Sequence, residues 1–325
     1  RNLAALLPVV SAQTWQQLMW CTDDRHPHEL LEDGHIDDIL RSAISLGLDP
    51  LMAIQMATIS PARYFGLDHL GAIAPGRQAD LVVFTDLKSL KAEAVYCQGR
   101  LTAQSGSILP EIKKPQPVEV PPAMNLDPAS VDLRVQAQGD QIRVIDIVPE
   151  QVVTGQSVMT AKQADGLAVA DPDRDLLKIA VVERYSGSAR AGIGFVRGLK
   201  LTEGALASSV AHDSHNIIVA GTSDENMHAA IAEVVRLGGA MVVVSNSQVE
   251  ASLPLPIAGL MSADPLEEIN RQMVVLLEAA RDRGTRLHDP FMTLGFLALA
   301  VIPELKITDV GLIDVNQFTK VPLFV

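Results

Sequence analysis

Hydrophobic residues recur at every third or fourth position in three segments of the chain, which is the spacing of an amphipathic helix. Helices are therefore predicted at 36–46, 222–237 and 264–284. Local boundary signals support all three, because a glycine ends or directly follows each segment and a glutamate stands three residues after Thr222 and after Asp264, as in a capping box.

Short, uninterrupted apolar runs predict buried strands. They lie at 18–22, 81–84, 94–97, 217–220 and 240–244. The last two runs flank the second predicted helix, so this part of the chain forms a strand–helix–strand pattern of the βαβ type. The sequence therefore predicts an α/β or α+β fold.

A proline-rich segment divides the chain. Six prolines lie between Pro110 and Pro128, interleaved with charged residues. Because proline lacks the amide donor and favours extended backbone, this segment is predicted to be a semi-rigid linker or a strap on the surface. It separates residues 1–109 from residues 130–325.

The composition is that of a globular protein and limits its partners. Of the 325 residues, 48% are hydrophobic, 20% are charged and 4% are aromatic, so the cores are predicted to be aliphatic and the length suits two domains. The formal charge of −13 argues against binding to nucleic acid or to an anionic membrane. The longest uncharged apolar run, 291–303, has 13 residues and is too short to span a bilayer.

The cysteines and the first residue indicate the compartment and the completeness of the chain. Cys21 and Cys97 provide no disulfide framework and fit a reducing cytoplasm, and we find no signal peptide. The sequence begins with Arg1, inside an apolar run, rather than with Met. We therefore expect a cytoplasmic protein of which this chain is a fragment.

The strongest local signal for chemistry is the segment 21–27, Cys-Thr-Asp-Asp-Arg-His-Pro. Its two acids, Asp23 and Asp24, come directly after the apolar run 18–22. At the carboxyl end of a strand in a parallel barrel, a carboxylate can bind a divalent metal ion and take a proton from metal-bound water. The alternative is that the two acids only cap the helix that follows.

Further residue types stand at fixed spacing downstream of this segment. They are Ala57-Thr58, Pro61-Ala62, Gly66-Leu67, Gly71, Ile73, Gly76 and Ala79-Asp80-Leu81-Val82-Val83. Together they resemble the closing signature of the amidohydrolase superfamily, in which the last helices of a metal-dependent (β/α)8 barrel precede a strand of a small β-sandwich. The resemblance implies that 18–22 is barrel strand eight and that Asp23 is the metal-bound, catalytic carboxylate. Asp24 is the alternative, because adjacent strand residues point to opposite faces.

The second half of the chain narrows this resemblance. It contains Glu183-Arg184-Tyr185, Gly192-Ile193-Gly194-Phe195-Val196, Gly198 and Val210-Ala211-His212-Asp213-Ser214-His215-Asn216. With the segment 22–27, these residues resemble the bacterial-type adenine deaminase family. The resemblance implies hydrolysis of adenine to hypoxanthine and ammonia in purine metabolism, a divalent metal (manganese or iron, or zinc) and a homo-oligomer, most simply a dimer.

The same resemblance assigns the domains and shows what this chain lacks. Residues 1–75 would be the end of the barrel, 76–109 strands of the β-sandwich, 110–129 the linker and 130–325 the adenine deaminase C-terminal domain. The family's His-x-His pair, bridging glutamate and further histidines would lie upstream of Arg1. We therefore expect the chain alone to be inactive, because one carboxylate does not hold a catalytic metal.

A second candidate metal site is the group His212, Asp213 and His215. Two imidazoles and a carboxylate within four residues could bind a divalent ion if a turn brought them together. The alternative is a simple connection before the strand at 217–220. For Arg184, in the neighbouring Glu-Arg-Tyr motif, we expect solvation at the surface rather than contact with a ligand.

Two other functions remain open from the sequence. The first is a different amidohydrolase, such as a relative of dihydroorotase or cytosine deaminase, although such enzymes typically end soon after the β-sandwich. The second is a non-catalytic product of a truncated gene, which would act as a binding or assembly module.

Overall fold

The computed structural model describes residues 3–110, 112, 120–149 and 151–325. The chain forms two compact units, Arg1–Pro117 and Val118–Val325. The middle of the predicted linker, 113–119, lies outside the described residues. Its C-terminal part belongs to the second unit, where Leu126 is buried.

The first unit consists of short helices followed by one small sheet. The helices are α1 (Leu3–Leu6), α2 (Pro27–Glu32), α3 (Ile36–Ser45), α4 (Pro50–Ala57) and α5 (Ile59–Tyr64), with 3₁₀ turns at Leu7–Val9 and Trp15–Gln17. The sheet is antiparallel, in the order β1 (Leu81–Phe84), β2 (Ala92–Cys97), β3 (Arg100–Gln104) and β4 (Ser107–Ile108). The helix predicted at 36–46 and the strands predicted at 81–84 and 94–97 are confirmed.

The predicted strand at 18–22 is wrong in this structure. The segment carries no strand pairing, and its residues are partly exposed. Trp20 instead fixes it to α4, because the indole Nε1–H donates to the carbonyl oxygen of Ala53 at 2.9 Å. A barrel strand is stable only between two neighbouring strands, and the described residues place none beside this segment.

The core of the first unit is small. Its buried apolar residues include Leu40, Ala53 and Leu90. Large apolar side chains remain at the surface, with Ile73 89% exposed and Tyr64 73% exposed. This unit therefore combines a small core with large apolar side chains that remain exposed.

The second unit is built on an eight-stranded sheet within the described residues. Its strands are β5 (Gln141–Ile147), β6 (Thr154–Thr160), β9 (Leu177–Val182), β10 (Ala191–Arg197), β11 (Ala205–Ser208), β12 (Ile217–Gly221), β13 (Ala240–Ser245) and β14 (Gln248–Pro254). They lie in the order β14–β13–β11–β12–β9–β10–β5–β6. Only the pair of β5 and β10 is parallel among these strands, so the sheet is mixed and mainly antiparallel.

Smaller strands and three helices complete this unit. They are the hairpin β7 (Lys162–Ala164) and β8 (Leu167–Val169), the antiparallel sheet β15 (Leu305–Thr308), β16 (Gly311–Asp314) and β17 (Thr319–Lys320), and the helices α6 (Asp224–Arg236), α7 (Leu266–Asp282) and α8 (Pro290–Leu297). No helix in the described ranges is both long and apolar enough to cross a membrane.

Both faces of the large sheet are buried at its central strands β9, β11 and β12, where every residue is buried. Because successive strand residues point to opposite faces, Ala180 and Val182 pack against α6, whereas Ile179 and Val181 pack on the side of α7 and α8. This double burial explains why β12 and β13 were recognisable as continuous apolar runs rather than as alternating ones.

The strand–helix–strand unit predicted at 217–244 is present as β12, α6 and β13. Strand β11 lies between the two strands and is antiparallel to both. The helix begins at Asp224, two residues after the predicted start at 222, because Ser223 rather than Thr222 caps it: Ser223 Oγ accepts from the backbone N–H of Asn226 at 3.3 Å. The prediction of a mixed α/β fold is confirmed.

Candidate functional site

The turn that follows Thr22 presents Asp23 to solvent. Asp23 has a backbone φ of +57°, in the left-handed region, which aspartate enters more readily than most residues. Its carboxylate is exposed and makes no hydrogen bond or ion pair with the described residues. Asp24 is also exposed but does interact with other groups. Of the two acids, Asp23 is thus the one whose carboxylate is open to a ligand.

Two side-chain contacts join this turn to the start of α3, one on each side of the open aspartate. Thr22 Oγ1 lies 3.2 Å from His35 Nε2. Arg25 donates from Nη2 to Asp38 Oδ2 at 2.6 Å and from Nη1 to the carbonyl oxygen of Gly34. The Arg25 and Asp38 side chains are only 17% and 25% exposed, so water screens this ion pair less than it screens a fully exposed one.

The described residues do not form a complete metal site. No three His, Cys, Asp or Glu side chains among them are grouped so that they could hold a metal ion. Structural and catalytic zinc sites, for comparison, use at least three protein ligands. A carboxylate oxygen is a common ligand for divalent ions, so Asp23 fits as one ligand of a site that needs others.

The histidines of the second unit lie in a packed turn. The ring centroids of His212 and His215 are 5.6 Å apart, and the His212 ring packs on Phe296 of α8 at 4.6 Å. His215 Nδ1 accepts a backbone hydrogen bond from within the same turn at 3.3 Å, while Asp213 is exposed. The structure does not bring these three predicted ligands together as a metal site. The geometry matches the other prediction, a connection that leads into β12.

Glu183 stabilises the loop that follows β9. Its carboxylate accepts from the backbone N–H groups of Tyr185 and Ser186 at 2.6 and 3.0 Å, and from the hydroxyls of Ser186 and Ser188. Burial raises the pKa of Glu183, but these hydrogen bonds to the charged form outweigh burial and lower the pKa to about 2. Glu183 is therefore a fixed anion at neutral pH and not a proton carrier.

The expectation that Arg184 is solvated at the surface is wrong, because its side chain is 1% exposed. The guanidinium donates to three backbone carbonyls, those of Ala123 at 2.9 Å, His215 at 2.5 Å and Ala258 at 3.0 Å. The Arg184 carbonyl in turn accepts from the backbone N–H of Asn125 at 2.7 Å. Arg184 thus joins the end of the linker to the histidine turn and to the loop after β14.

Sequence reasoning missed a further buried cation, Lys306 of β15. The side chain is fully buried, and Nζ donates to the carbonyl oxygens of Val152 at 2.8 Å and Phe296 at 3.1 Å. Burial lowers the pKa of Lys306 from 10.5 to about 8. The available signal was a lysine between two apolar residues, Leu305 and Ile307. In a strand it points to the opposite face from these two, and in β15 that face is buried as well.

Comparison with known proteins covers both units. Residues 151–319 match the family model of the adenine deaminase C-terminal domain, and residues 2–102 match that of the amidohydrolase family. The chain is 47% identical over 324 residues to the adenine deaminase of Desulfatibacillum aliphaticivorans, which covers 100% of this chain and 57% of that protein.

Two further adenine deaminases match the chain with similar identity and coverage. The adenine deaminase of Dehalococcoides mccartyi strain 195 is 41% identical over 323 residues, and adenine deaminase 2 of Carboxydothermus hydrogenoformans is 43% identical over 325 residues. Each alignment covers 99% of this chain and 57% of the relative. The chain therefore spans somewhat more than half the length of the curated relatives that it matches.

Proposed function

This chain belongs to the adenine deaminase family, and we propose that it is the C-terminal portion of an enzyme that hydrolyses adenine to hypoxanthine and ammonia. The observation that carries the proposal is the 47% identity to an adenine deaminase along the whole chain. The match of 151–319 to the adenine deaminase C-terminal domain favours this activity over that of other amidohydrolases, and it also weighs against a separate binding or assembly module.

The first unit, in this proposal, completes a (β/α)8 barrel and a β-sandwich whose other parts come from upstream residues. The apolar side chains that it leaves exposed, such as those of Tyr64 and Ile73, support the proposal, because a further layer of chain would bury them. Residues 76–109 would supply sandwich strands.

Asp23 is proposed as the catalytic carboxylate and as one ligand of a divalent metal, manganese or iron, or zinc. Its open, solvent-facing carboxylate supports this choice over Asp24, which is already engaged. A divalent ion bound there would lower the pKa of water, so that hydroxide is available at neutral pH. Asp23 itself would hold a proton at its carboxylate and deliver it towards the leaving nitrogen of the substrate.

The charge of the chain is consistent with a small neutral substrate. Adenine is a small neutral base, so the formal charge of −13 does not hinder its approach, whereas it disfavours nucleic acid and anionic membranes. We propose that the enzyme works in the cytoplasm, in purine metabolism, as a homo-oligomer that is most simply a dimer.

The experiment measures ammonia released from adenine in the presence of manganese. The 325-residue chain alone is expected to release none, whereas the same chain joined behind the N-terminal segment of the Desulfatibacillum enzyme is expected to be active. In that active polypeptide, Asp23→Asn should lower kcat by roughly 10²–10⁴-fold, and the control Asp24→Asn should cost less. Turnover by the chain alone at about 1 per second would refute the proposed ligand count. A larger loss in Asp24→Asn would refute the choice of ligand.

A further inference from the structure

Arg25 lies two residues after Asp23 and binds two acceptors near the start of α3. We propose that Arg25 is a positioning residue, which holds the turn 22–26 in the conformation that presents the Asp23 carboxylate. The catalytic consequence of this role rests on the function proposed above, whereas the role itself concerns only the conformation of the turn.

The conformation of Asp23 requires support from its neighbours. Its φ of +57° lies in the left-handed region, which costs an L-residue free energy relative to the extended and right-handed regions. Left free, the turn would populate the more favourable regions and move the carboxylate. The turn keeps a left-handed residue only if the chain on both sides of it is fixed.

Arg25 provides that fixation on the C-terminal side. Its planar guanidinium binds the Asp38 carboxylate and the Gly34 carbonyl at the same time, so both its position and its orientation are set. Gly34 is itself constrained: it has φ of +112°, and a Cβ there would lie 2.7 Å from Asp37 Oδ2. Of the two acceptors of Arg25, Asp38 lies in the first turn of α3, and the backbone at Gly34 is one that a residue with a Cβ would not fit.

The residues next to Arg25 complete the arrangement. The backbone N–H of His26 donates to Glu29 Oε2 at 2.8 Å, which fixes the start of α2. On the other side of the turn, Thr22 contacts His35. Asp23 and Asp24 both face solvent, and Arg25 follows them directly in the chain.

The chain offers a matched control on the same helix. Arg41 donates to Asp37 Oδ2 at 2.6 Å, the same distance as in the pair of Arg25 with Asp38. Arg41 makes its other described contact with the carbonyl of Asp33 and none with the turn 22–26. Replacing Arg41 therefore removes an equal charge and an equally short ion pair from α3 without touching the turn.

The test is the backbone order of residues 22–25 in the 325-residue chain, measured by ¹⁵N relaxation. In the wild type and in Arg41→Met, order parameters at Asp23 and Asp24 are expected near the rigid value of about 0.85. In Arg25→Met they should fall below about 0.6, with Arg25→Lys between the two, since lysine binds only one acceptor at a time. Asp38→Asn should act in the same direction as Arg25→Met. Equal values in Arg25→Met and Arg41→Met, or a wild-type turn that is already flexible, would overturn the proposal.

A second measurement separates this inference from the proposed function. The second protein is the fusion of this chain with the N-terminal segment of the Desulfatibacillum enzyme. In that fusion, Arg25→Met should lower kcat about tenfold and raise the manganese concentration that gives half-maximal activity, while Arg41→Met should change neither. If Asp23→Asn abolishes activity but Arg25→Met leaves kcat and the manganese requirement unchanged, the catalytic role of Arg25 is refuted and the proposed function stands. If Asp23→Asn retains activity, the assignment of Asp23 is refuted, and the order parameters alone decide on Arg25.

Discussion

Glu183→Gln tests whether a buried carboxylate stabilises the second unit through its charge. The substitution keeps the shape of the side chain but replaces an anion that accepts at least four hydrogen bonds by a neutral amide. Glu183 is 7% exposed, so solvent screens these bonds little. The pKa of Glu183 is 4.5 in the unfolded chain and about 2 in the folded chain. This difference corresponds to about 3 kcal/mol of unfolding free energy, because a difference of one pKa unit corresponds to about 1.4 kcal/mol.

The sign of the pH dependence follows from the lowered pKa. Above pH 4.5 the carboxylate is ionised in both the folded and the unfolded chain, and its full contribution is present. As the pH falls towards 2, the unfolded chain takes up the proton first, and the contribution is lost. The difference in unfolding free energy between the wild type and Glu183→Gln should therefore fall from about 3 kcal/mol at pH 7 to below about 0.5 kcal/mol at pH 2.

The assay is urea unfolding followed by circular dichroism, at pH 7 and at several values down to pH 2. The matched control is Glu233→Gln in α6, which is 9% exposed but pairs with the largely exposed Arg236. It should cost at most about 1 kcal/mol, as surface ion pairs do. A loss in Glu183→Gln that is the same at pH 7 and at pH 2 would refute the reasoning, because the effect would then come from shape and not from charge.

Two further substitutions test the buried cations. The pKa of Lys306 is about 8 in the folded chain and 10.5 in the unfolded chain, so the folded chain releases the proton first as the pH rises. The unfolding free energy of the wild type relative to Lys306→Met should therefore rise by about 3 kcal/mol between pH 8 and 10.5. A difference that does not change with pH would contradict the burial of this charge. Arg184→Lys should destabilise the second unit by about 3 kcal/mol, because one ammonium group cannot reach all three carbonyls. The control Arg190→Lys, at a side chain that is 56% exposed, should cost less than about 1 kcal/mol. Equal losses in thermal or urea unfolding would contradict the role given to Arg184.

Elements with a local signal could be predicted from the sequence. The helices α3, α6 and α7 lie within two residues of their predicted ends, because hydrophobic spacing and caps are properties of neighbouring residues. The order of strands in the large sheet was not predictable in the same way. It depends on which runs pair over long sequence separations, and the central strands β9, β12 and β13 are similarly apolar.

The segment 18–22 shows the opposite case, in which a local signal was misleading. Its apolar run is typical of a buried strand, but a strand also needs hydrogen-bonding neighbours, and these are not among the described residues. The candidate site is affected in the same way. The choice of Asp23 comes from the family resemblance of the segment 22–27 and stays a prediction. Its left-handed backbone and the contact of Arg25 with Asp38 depend on how the turn folds onto α3, which no local pattern shows.

Buried cations were the residues that sequence reasoning placed least well, and their partners explain why. Arg184 binds carbonyls 31, 61 and 74 positions away, and Lys306 binds one that is 154 positions away. Every residue carries a carbonyl, so no side-chain pattern identifies such a partner in advance. A lone Lys or Arg within an apolar strand or motif is therefore as consistent with a buried anchor between distant segments as with a solvated surface position. In this chain the cost of removing the charge from water makes the anchor specific, because the cation is stable only where two or three carbonyls converge on it.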